Sequence, residues 1–541
     1  MPRLAAHALS IGLAAALFAL GVAVAPPARA QSAGDALPEM GSSAATLITP
    51  AEEARYGAMI LRELRRQDAL VEDPLVEGWL QGLGFRVAAA SAEPDHGYTF
   101  FMMRDRRINA FATLGGLVGM NAGLVLAAER EDEVAGVLAH EVAHVTQRHV
   151  LRSAEKSQQN QLPVMLAMLG AMAAASQSNA RNSGDAMSAA VVGAQALMLQ
   201  MQIDYTRSNE SEADRLGIET LARAGFDPTG IADFFGRLAR ASRGNSGGWQ
   251  APEYLRTHPV TTTRIAEARD RAEKIARQPA PMLVRTEDDG HLLLPLPLRP
   301  ADGDLGARDP AYAWARERLR VLSAATPRDA VAEYESAAEE GDDARRYGHA
   351  TALMRDGKGA AALARFEALL ARHPDHLWVR LGAAEASHEA GRWDDATRRY
   401  EALLVDYRDH RAVSLSYAEA LNERGTAEAG RRAQAVLRPL LASATDDLLL
   451  QQRFARASEL AGDANRAAEA HAEAAFLAGR AEDALKQLDA LKQRDDVDYV
   501  QRARVEARMA EWMPVVLEMR RMGLRPEDQG RPRQSGSRSA S

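Results

Sequence analysis

His140-Glu141-Val142-Ala143-His144 is the stretch on which the reading of this chain turns. On a helix, residues four apart share a face. His140 and His144 can then reach one cation from the same side. Glu141 stands beside them, close enough to take a proton from water on that cation. Zinc lowers the pKa of such a water, and a neighbouring carboxylate activates it further. Two histidines at this spacing could equally be surface residues, or core residues satisfied by hydrogen bonds. The surroundings favour the metal. Val134, Leu138, Val142 and Val145 recur at helical spacing and predict a helix from about Asp132 to His149. A lone Glu141 in so apolar a run is costly unless a cation accounts for it.

Catalytic zinc keeps three protein ligands and leaves one position for water. The chain has no cysteine, so a further ligand must be His, Asp or Glu. The same absence excludes a disulfide scaffold and a thiol nucleophile. No second HxxxH lies near. The best source is Asn209-Glu210-Ser211-Glu212-Ala213-Asp214, inside a helix predicted from about Tyr205 to Ala224. Glu210 and Asp214 are four apart and share a face. Glu210 is assigned as the third ligand and Asp214 as the carboxylate that orients a histidine ring. Glu212 points elsewhere, onto a solvated face. His149, five residues beyond His144, reads as a solvated or packing residue. Gly225 is a plausible helix end, and Asp227-Pro228 opens the next helix.

Working outward, residues 50–88 read as helical. Tyr98 to Met103, Ile108 to Phe111 and Leu117 to Met120 read as short strands around Gly115-Gly116. Leu162 to Ala175 and Ala189 to Met201 are apolar and methionine-rich, separated by a polar piece. Each is too short for a comfortable membrane span. They read as amphipathic pieces on the core, with a mobile flap or a surface for membrane or unfolded client as the alternatives.

The chain has 541 residues, too many for one ordinary core. Its formal net charge of -8 gives no support for nucleic-acid binding. Arg3, the apolar run Ala8 to Ala25 and Ala28-Arg29-Ala30 have the pattern of an export signal cut after Ala30, with an uncleaved anchor as the runner-up. In a Gram-negative cell the destination is the periplasm. Behind the metal motif the chain becomes repetitive. Gly357, Ala362 and Phe366 recur as Gly391, Ala396 and Tyr400, 34 residues on, and Gly425 continues the series. That is the period of tetratricopeptide repeats; an unrelated alanine-rich helical array is the other reading. The expected layout is a signal over 1–30, a flexible segment over 31–49, a metallopeptidase domain over 50–278, a linker over 279–309, helical repeats over 310–525 and a tail over 526–541.

Taken together, these motifs resemble the HtpX and CAAX prenyl protease type 1 family of gluzincin peptidases. The matching segments are Asn109-Ala110-Phe111-Ala112, Gly115-Gly116, Val137-Leu138-Ala139 running into the His140 motif, Arg207 with Glu210 to Asp214, Ala224-Gly225-Phe226-Asp227-Pro228 and Thr257-His258-Pro259. Within the family the chain is most similar to the periplasmic branch that joins such a domain to tetratricopeptide repeats. The resemblance implies an α+β gluzincin domain followed by an all-α repeat solenoid, with one zinc per chain. It places the third ligand at Glu210 and the structural carboxylate at Asp214, in agreement with the spacing.

The family also carries a His-Pro segment near the site, here His258-Pro259. His258 could donate to a developing oxyanion or occupy the open zinc position in a resting state; a capping or packing histidine is the plain alternative. Arg264 is expected to pair with an acid or guide substrate. Tyr205 could point a hydroxyl into the cleft, and is the weakest of these candidates. A substrate peptide is expected to extend along the strand near Gly115 to Met120, with Glu141 as general base. The implied role is quality control of the cell envelope, with unfolded or stalled outer-membrane proteins as substrates. By this resemblance the repeats would bring the chain to the barrel-assembly machinery or to client proteins, and peripheral membrane contact would go with the methionine-rich segment. Two other readings stand beside it: a repeat-based chaperone or adaptor with a silent peptidase domain, and a binding module for envelope polymers or lipid.

Overall fold

The structure is a computed structural model. It describes residues 48–156, 203, 206–243, 252–277, 311–335, 342–442, 444 and 446–521. The export signal, the methionine-rich segment 162–201, Tyr205, the linker 279–309 and the tail 526–541 lie outside the described residues.

Two helices open the peptidase part. α1 (Pro50–Arg66) starts on a capping box, in which Thr49 and Glu52 satisfy each other's backbone N–H groups. α2 (Pro74–Ala89) is capped by Asp73, whose carboxylate accepts from the Val76 amide. Three short strands follow: β1 (Thr99–Met103), β2 (Ala110–Thr113) and β3 (Leu117–Asn121). β3 runs between the other two, parallel to β1 and antiparallel to β2. The expected path of substrate along Gly115 to Met120 is therefore wrong. Both sides of β3 are already paired, so it has no main-chain groups left for a peptide. The edge strand on the antiparallel side is β2.

α3 (Ala122–Ala127) leads into α4 (Glu131–Thr146), the helix of the histidine motif. All of α4 except His144 is buried. Its first turn carries Glu131, Asp132 and Glu133, which suit the positive end of a helix dipole. Each is also held: Glu131 accepts from Trp79 Nε1 at 2.9 Å, Asp132 from the Asp227 amide at 3.0 Å, and Glu133 meets Arg237 at 2.7 Å. The helix stops at Gln147, short of the expected His149. Arg148 takes a left-handed φ of 50°, and a second helix, α5 (149–156), restarts in a new direction. α6 (206–223) then crosses α4 at Gly217. A Cβ there would lie 3.1 Å from the His140 Cα, so a side chain would push this crossing apart by a few tenths of an ångström. α7 (Gly230–Arg243), α8 (Glu253–Thr257) and α9 (Thr262–Arg277) complete this part.

Paired helices make up the rest, from α10 (Ala311–Leu322) to α21 (Tyr499–Arg521). Gly357, Gly391 and Gly425 all have φ near +70°, the left-handed turn that ends the first helix of a pair. Ala362 and Ala396 are buried, and Phe366 and Tyr400 fill the space between helices, as the 34-residue period requires. The solenoid curls back on the peptidase part. Arg318 of α10 grips Asp73 at 2.7 Å, and Arg411 meets Glu77 at 2.7 Å. At the far end the Arg62 guanidinium lies 4.7 Å from the Phe476 ring. Among the described residues, no helix is long and apolar enough to cross a membrane.

Burial alone would raise the Asp73 carboxyl, but the Arg318 guanidinium holds it below the usual carboxylate range. A depressed folded pKa means that this contact stabilises the junction above roughly pH 4 and is lost as pH falls. Arg318→Met leaves the Asp73 charge buried without its cation, held only by the backbone amides of the α2 cap. The expected loss is about 3–5 kcal/mol, read as a lower denaturant midpoint, with Asp73→Leu added to Arg318→Met recovering part of it, since the α2 cap is lost as well.

Candidate metal centre

The α4–α6 crossing puts Glu210 opposite the two histidines. One turn apart on α4, the His140 and His144 Nε2 atoms lie 3.0 Å from each other. Glu210 stands 3.5 Å from His140 Nε2 and 3.4 Å from His144 Nε2. His258 brings its Nδ1 to 3.4 Å from His140 Nε2 and 3.0 Å from Glu210. These four residues form the group able to hold a metal among the described residues.

Zinc bound at about 2.0–2.1 Å in a tetrahedron separates its donor atoms by roughly 3.3 Å. The observed separations of 3.0–3.5 Å match that spacing. The donors, two imidazoles and a carboxylate with a further imidazole, also suit zinc. The residues present therefore fit the metal that the motif implies.

Local sequence explains how His258 arrives. Its amide still bonds to the Tyr254 carbonyl at 2.7 Å, but Pro259 disfavours helical geometry in the residue before it. The chain leaves α8 with His258 at φ -123° and ψ 83°, and Tyr254 stacks on its ring at 4.7 Å. Tyr254 is wholly buried, and nothing in its sequence context marks it out.

The supports behind the donors differ. His140 Nδ1 meets Asp214 at 3.0 Å, as expected of a carboxylate that orients a ring. Arg264 grips Asp214 with two bonds of 2.7 Å and reaches Glu210 at 3.0 Å. It thus pairs with an acid, the first of its two expected roles. Of the two readings of His149, the packing one holds: it is buried, with Nδ1 2.9 Å from His144 Nδ1. Glu212 is not a free surface acid, because it meets His149 Nε2 at 3.2 Å and Arg152 at 3.1 Å. The left-handed turn at Arg148 folds His149 back onto His144, which no helical spacing could show.

Electrostatics separate the acids. Burial would raise Glu210, but hydrogen bonds from His140 and His258 hold it far below the usual range. Asp214 is lowered too, because His140 and Arg264 outweigh its burial. Glu141 goes the other way: burial pushes its carboxyl up. Neither of its oxygens has a hydrogen-bond partner of normal geometry. His258 Nε2 lies 3.7 Å away, and a hydrogen bond from the Ala112 backbone of β2 partly offsets the burial. A buried carboxylate that no side chain satisfies, beside a cluster of metal donors, is placed to accept a proton.

Comparison with known proteins gives the same picture. The model for peptidase family M48 matches residues 74–272, and a tetratricopeptide-repeat model matches residues 353–422. The "putative beta-barrel assembly-enhancing protease" of Vibrio cholerae serotype O1 is 41% identical over 266 residues, covering 49% of this chain and 52% of that protein. The "beta-barrel assembly-enhancing protease" of Escherichia coli K12 is 32% identical over 368 residues, 68% of this chain and 69% of that protein. The mitochondrial metalloendopeptidase OMA1 of Schizosaccharomyces pombe is 31% identical over 180 residues, covering 33% of this chain and 48% of its own length. The chain thus spans about half of the Vibrio relative and about two thirds of the E. coli one.

Proposed function

The chain belongs to peptidase family M48, and on that premise we propose that it is a zinc-dependent endopeptidase of the periplasm that degrades misassembled outer-membrane proteins and aids their assembly. The observation that carries the reading is the convergence of His140, His144 and Glu210 on one point, with the unpartnered Glu141 carboxylate alongside. The names of the relatives support the substrate class. The repeat solenoid offers a broad surface for clients or for the barrel-assembly machinery. We place the peptidase unit at 50–278 and the repeats at 310–525.

Zinc held by His140, His144 and Glu210 would polarise the scissile carbonyl and acidify water. The chain's own residues do the rest. Substrate adds to the edge strand β2, which supplies main-chain hydrogen bonds. Glu141 takes the proton of the attacking water and returns it to the leaving amine. Asp214 and Arg264 keep the His140 ring and Glu210 in place. A silent peptidase domain would have no use for a buried base that no side chain satisfies, which weighs against the adaptor reading.

With its Nδ1 3.4 Å from His140 Nε2 and 3.0 Å from Glu210, His258 would compete with water for a bound metal. The described arrangement would be a resting one that opens when His258 withdraws. His258→Ala should then raise peptide cleavage, roughly tenfold if the closed state is favoured by about 1.4 kcal/mol. A tenfold fall in kcat would instead make His258 an oxyanion donor. The proposed activity is tested by incubating zinc-loaded protein with an unfolded outer-membrane barrel protein, with and without chelator. Fragments that appear only without chelator are expected; an intact substrate in both arms, with the His258→Ala form as inert as the wild type, overturns the reading.

A further inference from the structure

Behind the two motif histidines the chain uses two different supports, and the second is not built like the first. His140 rests directly on an acid, Asp214. His144 rests on another imidazole, His149, and only that imidazole reaches an acid, Glu212. The His144 Nδ1 to His149 Nδ1 distance of 2.9 Å requires one nitrogen to donate and the other to accept.

The polarity of this pair follows from its far end. The Glu212 carboxylate only accepts, and Arg152 holds it in place at 3.1 Å. It takes the hydrogen of His149 Nε2 at 3.2 Å. A neutral His149 then has a bare lone pair at Nδ1, which accepts from His144 Nδ1–H. The only lone pair left on His144 is at Nε2, the atom facing Glu210 and His140. The opposite polarity would put a hydrogen on His144 Nε2 and block metal binding there.

We propose that His149 and Glu212 form a relay that sets the tautomer and the ring orientation of His144, so that its Nε2 is presented to the metal. Both are positioning residues, acting through His144. The proposal rests on the zinc-site reading above. The geometry comes from the break in the helix: Arg148 at φ 50° starts α5 in a direction that folds His149 back. α5 also meets α6 directly, since Arg152 and His149 both contact Glu212, and Ser153 lies 3.5 Å from Asn209. The relay therefore ties the helix carrying His144 to the helix carrying Glu210.

The test is zinc affinity of the full chain, measured by competition with a chromophoric chelator, with circular dichroism as a check on folding. His149→Leu removes the acceptor and should weaken zinc binding by about 10–100-fold. His149→Asn places an amide oxygen near the position of the lost Nδ1 and should stay within a few-fold of wild type. Glu212→Leu leaves His149 without its anchor and should fall between the two. Wild-type affinity in folded His149→Leu overturns the relay, and so does a folded His149→Asn as weak as His149→Leu. If His149→Leu fails to fold, the Asn and Glu212→Leu forms decide, and wild-type affinity in Glu212→Leu or a large loss in the Asn form counts against it. Absence of zinc binding by the wild type would overturn the metal site itself, a different result from any of these.

Discussion

Glu141→Gln should lower kcat by about 10²–10⁴-fold while the protein keeps its zinc. Glutamine has nearly the shape of glutamate but does not accept the water's proton. The Glu141 carboxylate makes no hydrogen bond of normal geometry, so the swap removes little that holds the fold together. It also relieves a buried charge, since burial already pushes this carboxyl up. Stability should therefore hold or rise slightly, and substrate should still bind at β2. Steady-state cleavage of an unfolded barrel protein, paired with metal analysis, separates these effects. Near-normal turnover in a zinc-loaded Glu141→Gln protein would remove Glu141 from the chemistry.

Glu210→Ala should cost more in metal than any change behind the donors. Partners that only orient a ligand are worth about 10–100-fold in affinity. Removing Glu210 deletes a donor outright rather than loosening one, so the loss should exceed that range. Zinc content after dialysis should fall from about one per chain toward none. A second consequence is specific to this site. Arg264 bridges Asp214 and Glu210, and His258 Nδ1 loses its carboxylate partner when Glu210 goes. Asp214 still holds Arg264 with two bonds, so α9 should stay docked. One tightly held zinc per chain in Glu210→Ala would show that the carboxylate is not a ligand.

The legible part of the site was the part written at helical spacing. His140 and His144 are one turn apart on α4, and Glu210 and Asp214 are one turn apart on α6, so periodicity placed each pair on a single face. The repeat helices were legible for the same reason, through glycine, alanine and an aromatic recurring at a fixed interval. The contact between His149 and Glu212 was not legible because it depends on a left-handed residue, Arg148, in a stretch whose pattern continues as helix. Tyr254 was missed because a lone tyrosine in a short helix looks like any packing residue. The strand order was out of reach too. Three short runs of apolar residues do not say which one lies in the middle, so the edge strand was assigned to β3 instead of β2.

By itself the sequence determined which chemistry is available: two imidazoles and carboxylates at fixed spacings, without a cysteine, and a repeating helical arm. Tertiary structure alone decided that the α6 acid meets the α4 histidines, because that contact needs two helices to cross at Gly217 without a side chain between them. It also brought His258 into the same cluster and buried Glu141 beside it with no side-chain hydrogen bond. Spacing along one element is a local property of the backbone. Distances between elements depend on how their buried faces pack, and no periodicity records that.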